Sequence, residues 1–283
     1  MPKQPHSFKR LVLGLQPSAA DRTMQIAAEL ADLLNLELHG LLFEDTSLRD
    51  LAGIPFAREL RTLGGGWHAI DIERVSDEFD RAARNIERIF AEAARRLVTK
   101  SQFEIARGPI GQAIASISRA GDIVMIVEPL SAAERASQQF AWLLRAAFAS
   151  APAVMLVPRH IVRSRGPIVA IATSPEDPSI EVAAAIAIAA QEELVVIEAD
   201  GQAGREAPIR AAAEAGLSVK RMTAPKARLP DPATCAQAFR FVQERLIVMT
   251  RGAFEDGVAS ALASARRVPV LVVEPSAVAS PAQ

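Results

Sequence analysis

Residues able to hold a phosphate gather around Thr250-Arg251-Gly252, with Gly257 close behind. The two glycines leave their backbone N–H groups uncovered. Arg251 adds a positive charge, and a helix starting near Val258 would point its positive end at the same spot. Thr173 and Ser174, at the close of an earlier apolar run, add hydroxyls. Thr173, Ser174, Thr250, Arg251, Gly252 and Gly257 therefore make up a candidate nucleotide site. Glu255 and Asp256 share its loop and would repel a triphosphate, so weak binding of adenosine, a monophosphate or a diphosphate is expected. Gln16 and Ser18, in the matching turn of the first half, are weaker candidates, because Glu128 stands there where Arg251 stands in the second.

Other residue sets give less. Gly64-Gly65-Gly66 does not lie in a tight strand-to-helix turn, so it reads as a flexible hinge beside Trp67 rather than a phosphate cradle. Ser18 or Ser47 with His39 or His68 has no nucleophile elbow around it. The four histidines, His6, His39, His68 and His160, lack close ligand spacing, so no metal site is expected. The single cysteine, Cys235, excludes an intramolecular disulfide and reads as a small packed residue of a helix. No catalytic set stands out, so the chain reads as a binding protein in preference to an enzyme.

Charge and hydropathy narrow the partners. Net charge is −1 and neither half carries a basic excess, which argues against nucleic acid. No run approaches the roughly 20 apolar residues that span a bilayer, and Met1 to His6 lacks the apolar core of a signal peptide. A cytoplasmic protein, with no membrane contact, is the expectation.

The elements that must position these residues come in two similar series. Ala151-Pro152-Ala153-Val154-Met155-Leu156-Val157-Pro158 and Val268-Pro269-Val270-Leu271-Val272-Val273-Glu274-Pro275 are short apolar runs opened and closed by proline. Each reads as a strand buried on both faces. Strands are predicted at 8–15, 36–43, 102–106, 122–127, 168–173, 194–198, 217–222, 246–250 and 270–273 in addition to the first proline-bounded run. Helices alternate with them, the longest over 72–98, where Val75, Phe79, Ala82, Ile86, Phe90 and Ala93 share one face and Arg and Glu cover the other. Asp231-Pro232 opens a helix predicted to reach Gln243. The alternation predicts an α/β fold, a parallel sheet with helices on both faces, and ligands beyond the carboxyl ends of the strands. Ile161 to Pro167 is the expected linker between a domain over 1–160, with an insert at 46–71, and a shorter one over 161–283, with a disordered tail from 276. The insert is read as short helical pieces whose Leu51, Ile54, Phe56, Leu60 and Leu63 cover their own sheet.

The order and spacing of these stretches, notably Leu11 to Ser18, Glu37 to Asp45, Asp122 to Val127, Leu246 to Thr250 and the two proline-bounded runs, resemble the universal stress protein family, duplicated in one chain. The resemblance covers roughly residues 8–159 and 167–275. It implies two tandem open parallel five-stranded sheets ordered 3-2-1-4-5 and assembly through the fifth strands, here an internal pseudo-dimer. ATP-binding members carry an aspartate at the end of strand one and Gly-x2-Gly-x9-Gly-Ser/Thr after strand four. Here Gln16 and Thr173 stand at the aspartate position. The loop after Val127 has no glycine and carries Glu128 and Glu134; the loop after Thr250 keeps Gly252 and Gly257 but is cut short. The resemblance therefore implies a binding or regulatory module of the stress response without standard ATP binding and with no cofactor. The alternative is a nucleotide switch or slow ATPase, with an adenine nucleotide in the second half; an enzyme of the wider adenine-nucleotide hydrolase-like folds is a weaker third. A protein partner or a homodimer is expected. The two fifth strands are expected to meet antiparallel, since prolines at both ends leave short apolar edges that need cover.

Overall fold

A computed structural model describes residues 8–15, 21–44, 51, 54, 56–61, 66–95, 97–108, 110–119, 121–128, 137–199, 204–225, 232–238, 240–254 and 257–275. The first half runs β1 (Arg10–Leu15), α1 (Asp21–Leu33), β2 (Glu37–Glu44), β3 (Arg58–Arg61), β4 (Gly66–Ala69), α2 (Ile72–Ala94), β5 (Ser101–Arg107), α3 (Ile110–Ile117), β6 (Asp122–Val127), α4 (Gln138–Ser150) and β7 (Ala153–Val157). The second runs β8 (Ile168–Ala172), α5 (Pro178–Ala190), β9 (Leu194–Ala199), α6 (Glu206–Glu214), β10 (Val219–Ala224), α7 (Pro232–Ala238), β11 (Leu246–Thr250), α8 (Val258–Arg266) and β12 (Val270–Val273).

The two expected five-stranded sheets are joined into one, through the expected antiparallel meeting of the fifth strands. Ten strands make one sheet, in the order β10-β9-β8-β11-β12-β7-β6-β1-β2-β5. Within each half the five core strands run third, second, first, fourth, fifth, and all are parallel. The seam between halves is the antiparallel pair β7–β12, with Val272 opposite Val154 and Leu271 opposite Met155. The physical reason lies in the two proline-bounded runs. Val154, Met155, Val270 and Leu271 are all fully buried, and an apolar edge strand with open N–H and C=O groups is stable only when its ladder is completed. Each half supplies what the other lacks, so the two sheets fuse.

Alternation along the strands divides the core in two. Leu11, Leu13 and Leu15 point to the face covered by α1, α2, α5 and α6. Val12 and Val124 point to the face covered by α3, α4, α7 and α8. Helix α5 is apolar nearly all round, with Ile180, Val182, Ala183, Ala184 and Ile186 buried, as expected for a helix enclosed on most sides. It starts on Asp177 with Pro178 at its first position and stops on Gln191 in the left-handed conformation. Helix α2 starts on Asp71, whose carboxylate accepts the N–H groups of Glu73 and Arg74 at 3.1 Å, and ends at Ala94, short of the predicted Val98. Its Phe90 lies over Gly40, where a Cβ would stand only 2.6 Å from the ring, and against Phe103 at a centroid distance of 5.6 Å.

The insert differs from its expected form. Leu51 is helical, but Arg58–Arg61 and Gly66–Ala69 form an antiparallel hairpin, β3–β4, with Leu60 opposite Trp67. Nor do the apolar side chains described there cover the sheet: Leu51 and Ile54 are exposed, Phe56 is 89% exposed and Trp67 65%. The hairpin is tied to α2 by polar contacts instead, through Arg74 Nη2 to Glu59 Oε2 at 2.6 Å. Gly64 and Gly65, the centre of the expected hinge, lie outside the described residues; Gly66 pairs with Arg61 in the ladder. The helix predicted to reach Gln243 ends at Ala238. The tail from residue 276 also lies outside the described residues.

Candidate functional site

Two residues of the candidate set meet through a third that the sequence reading did not single out. Asp177, only 3% exposed, sits beyond the end of β8 and caps α5. Its Oδ2 accepts from the Thr173 N–H at 2.9 Å and the Thr173 hydroxyl at 3.2 Å. Its Oδ1 accepts from the Ser179 N–H at 3.0 Å and the Thr250 hydroxyl at 2.5 Å. The carboxylate thus joins the ends of β8 and β11 to the start of α5, at the crevice where ligands of open α/β sheets sit. Four donors on one carboxylate leave it little capacity for a ligand. The signal in the sequence was Asp177-Pro178, the same pair of residue types as Asp231-Pro232.

The rest of the set does not converge on that point. Ser174 is exposed, and its carbonyl accepts the Asp177 N–H. Gly252 and Gly257 are both exposed at positive φ, +77° and +98°, with open space where a Cβ would go. Gly257 caps α8 with no side-chain hydrogen bond. Arg251 turns away from the crevice and crosses the seam: its Nη1 donates to the Phe148 carbonyl of α4 at 2.6 Å and bonds the Glu274 carboxylate, and its guanidinium lies 5.2 Å from the centre of the Phe148 ring. Gln16 and Ser18 lie outside the described residues, as do Glu255, Asp256 and Ser47.

The neighbouring strand ends carry acids, each already paired. Glu198, at the end of β9, accepts from the Gly204 N–H at 2.7 Å and from Arg221 through Nε and Nη2. Arg221 also holds Glu206, and Arg205 holds Glu176 and Glu181. In the first half Glu44 plays the part of Glu198, with Arg107 Nε at 3.0 Å. Glu128, read from sequence as a charge that would repel phosphate, also crosses the seam. It is 2% exposed and accepts from the Ser260 hydroxyl of α8 at 2.6 Å and from the Ser264 hydroxyl. The two fourth-strand ends, Glu128 and Arg251, thus bind each half to a helix of the other.

His39 has none of the surroundings of a catalytic base. It lies in β2 opposite Val12, 3% exposed. Neither ring nitrogen has a hydrogen-bond partner; Glu104 Oε2 is 3.4 Å from Nε2 but poorly aimed. Burial first, and then the charge of Arg10, hold its pKa below the ordinary histidine value, against the opposite pull of Glu104 and Asp122. The unfolded chain therefore binds a proton that the folded ring refuses. Stability is expected to be fully present above the ordinary value and to decline as pH falls through it. His39→Gln is expected to flatten this decline. Urea midpoints at about pH 7.5 and 5.5, either side of the ordinary histidine range, would show it, and an unchanged slope would contradict it. His68 and His160 are exposed. Cys235 is fully buried. Among the described residues no group of three or more His, Cys, Asp or Glu could hold a metal ion, and no helix is long and apolar enough to cross a membrane.

No protein-family model matches this sequence, and no curated protein matches it. Solved structures do. A universal stress protein from Archaeoglobus fulgidus DSM 4304 superposes with a TM-score of 0.58 at 15% identity, over 93% of this chain and 96% of that one. A functionally unknown protein from Pseudomonas aeruginosa PAO1 gives 0.54 at 16% identity, over 97% and 95%. The cytoplasmic domain of a prokaryotic cation chloride cotransporter gives 0.53 at 11%, over 94% and 96%. At these identities the likeness is one of fold, and it extends over both halves of the chain.

Proposed function

We propose that this chain is a universal-stress-protein-like binding and regulatory module of the cytoplasm, working in stress response without chemistry of its own and without standard ATP binding. One observation carries the reading. The crevice between β8 and β11 in the second half, where a nucleotide would lie, is occupied by the Asp177 carboxylate and the two threonine hydroxyls that bind it. An incoming phosphate meets that charge and the paired acids Glu176 and Glu198, while Arg251, the cation that directly follows Thr250, is committed across the seam. The alternative, a weak adenine-nucleotide switch in the second half, is favoured by Gly252 and Gly257, whose positive φ and open surroundings leave backbone N–H groups accessible.

Thermal shift with ATP, ADP, AMP and adenosine separates the two. A ligand at 100 times its Kd stabilises by about 2.7 kcal/mol, several degrees for a chain of this size at roughly 2–4 °C per kcal/mol. With ATP and magnesium at about 1 mM, a shift within about 1 °C is expected. A shift of several degrees that disappears in Gly257→Val would overturn the module reading in favour of the switch.

A further inference from the structure

Away from the strand-end crevice, a groove of about 460 Å³ opens between α1 and the segment joining the halves. Its volume is in the range of small-molecule sites. Ile26 and Leu30 of α1, with Val162 and Pro269, give it an apolar floor. Its lining carries both charges: Glu29, with Gln25, from α1, and Arg163 and Arg245 from the joining segment and the approach to β11.

Arg245 differs from Arg163 and Arg266 in how little of its donor capacity is used. Arg266 is bidentate on Glu244, at 2.7 and 2.8 Å. Arg245 has a side chain only 17% exposed, yet its one ion pair is to Glu192 at 3.6 Å, too long for a hydrogen bond. Among the described residues its guanidinium donates to no acceptor. Arg163 spends Nε and Nη2 on Glu244 and the Arg266 carbonyl, which leaves Nη1. These free guanidinium nitrogens are not buried without a partner but open to the groove, and a carboxylate is the group whose geometry fits such a fork. Glu29, exposed on α1, has no cationic partner among the described residues. The groove therefore offers a fork for an anion, a carboxylate for a cation and an apolar floor beneath them.

We propose that this groove binds a small zwitterion with an apolar body, the chemistry of a free aliphatic amino acid. Its carboxylate would lie on Arg245 and Arg163, its ammonium on Glu29, and its side chain on Ile26, Leu30 and Pro269. The α1 wall comes from the first half, whereas Arg245 and Pro269 come from the second. Occupancy therefore stabilises the joined halves, which is a means by which a small metabolite could report to a regulatory module.

Leucine is a suitable probe, followed by calorimetry and thermal shift on the full chain. 4-Methylpentanoate, which lacks the amine, and isoamylamine, which lacks the carboxylate, serve as its controls. Saturable leucine binding is expected, with each control weaker by about tenfold or more, equivalent to 1.4 kcal/mol. Glu29→Gln, a change on an exposed helix face, is expected to weaken leucine about fivefold while leaving 4-methylpentanoate unchanged. Arg245→Lys, which keeps the charge but loses the fork, is expected to weaken leucine and 4-methylpentanoate together. Absence of saturable leucine binding up to about 20 mM, a level at which even a Kd of several millimolar would register, overturns the proposal. So does equal binding of leucine and 4-methylpentanoate, or leucine affinity unmoved by both variants.

Discussion

Asp177→Ala is expected to lower the stability of the chain by about 3–4 kcal/mol. Removing the cap of α5 costs about 1 kcal/mol. That cap bond is the one from the Ser179 N–H; the Thr250 hydroxyl and the Thr173 N–H would also lose their acceptor, at about 1 kcal/mol or a little more each, the low end of the cost of an unsatisfied group. At roughly 2–4 °C per kcal/mol, the melting temperature should fall by about 10 °C. Thr250→Val removes one of these bonds and should cost about 1 kcal/mol. A double-mutant cycle of the two substitutions should therefore show strong coupling. The same change carries a test of function. If Asp177 only closes the crevice, removing its charge raises any affinity for AMP. If Asp177 instead holds a ligand, that affinity falls. Urea unfolding and an AMP titration on the same variant give both answers, and a stability loss below about 1 kcal/mol would show that the four bonds are not a hub.

Gly166→Ala is expected to cost at least about 3 kcal/mol, from two effects that add. Gly166 has a φ of +130°, and a Cβ there would stand 2.2 Å from the Gln243 carbonyl oxygen. An L-residue at such a φ is strained by about 1–3 kcal/mol, and the contact with backbone cannot be relieved by a side-chain rotation. The segment would have to lift away, which breaks the bond from the Gly166 N–H to Glu192 Oε2 at 2.7 Å and the nearby bond from the Arg245 N–H to the Pro167 carbonyl at 2.9 Å. The loss should appear as a lower urea midpoint with the slope preserved, which marks a change in stability rather than in cooperativity. A variant within about 0.5 kcal/mol of the parent would mean that this linker is free to move. It would also remove the rigid wall that the proposed amino-acid groove requires.

Much of the architecture was legible because it rests on local signals. The alternation of apolar strand runs with amphipathic helices gives the strand and helix positions to within a few residues. Leu11, Leu13 and Leu15 against Val12 already show a strand with two buried faces. The proline-bounded runs 151–158 and 268–275 read correctly as buried strands, because apolar residues without a polar alternate position need cover on both sides. The insert was less legible. Its Leu51, Ile54 and Phe56 match a helical spacing, but the structure leaves them exposed beside a hairpin. Short apolar runs carry no period that separates helix from strand.

The candidate site shows where sequence reasoning stops. The sequence by itself determined that Thr173 and Thr250 stand at strand ends, that the second-half loop keeps two glycines, and that Arg251 and Glu128 occupy matching positions after a fourth strand. Only the tertiary structure decided what those groups face. Asp177 lies 73 residues from Thr250 along the chain, yet its Oδ1 accepts the Thr250 hydroxyl. Glu128 reaches Ser260 across 132 residues. Arg251 reaches Phe148 across 103. A residue's type and spacing state what it can donate or accept. Which partner meets that capacity depends on how the sheet closes, and the β7–β12 seam brings the helices of each half against the strand ends of the other. A cation that looked available for phosphate is spent at that seam because the fold places the Phe148 carbonyl and the Glu274 carboxylate beside it.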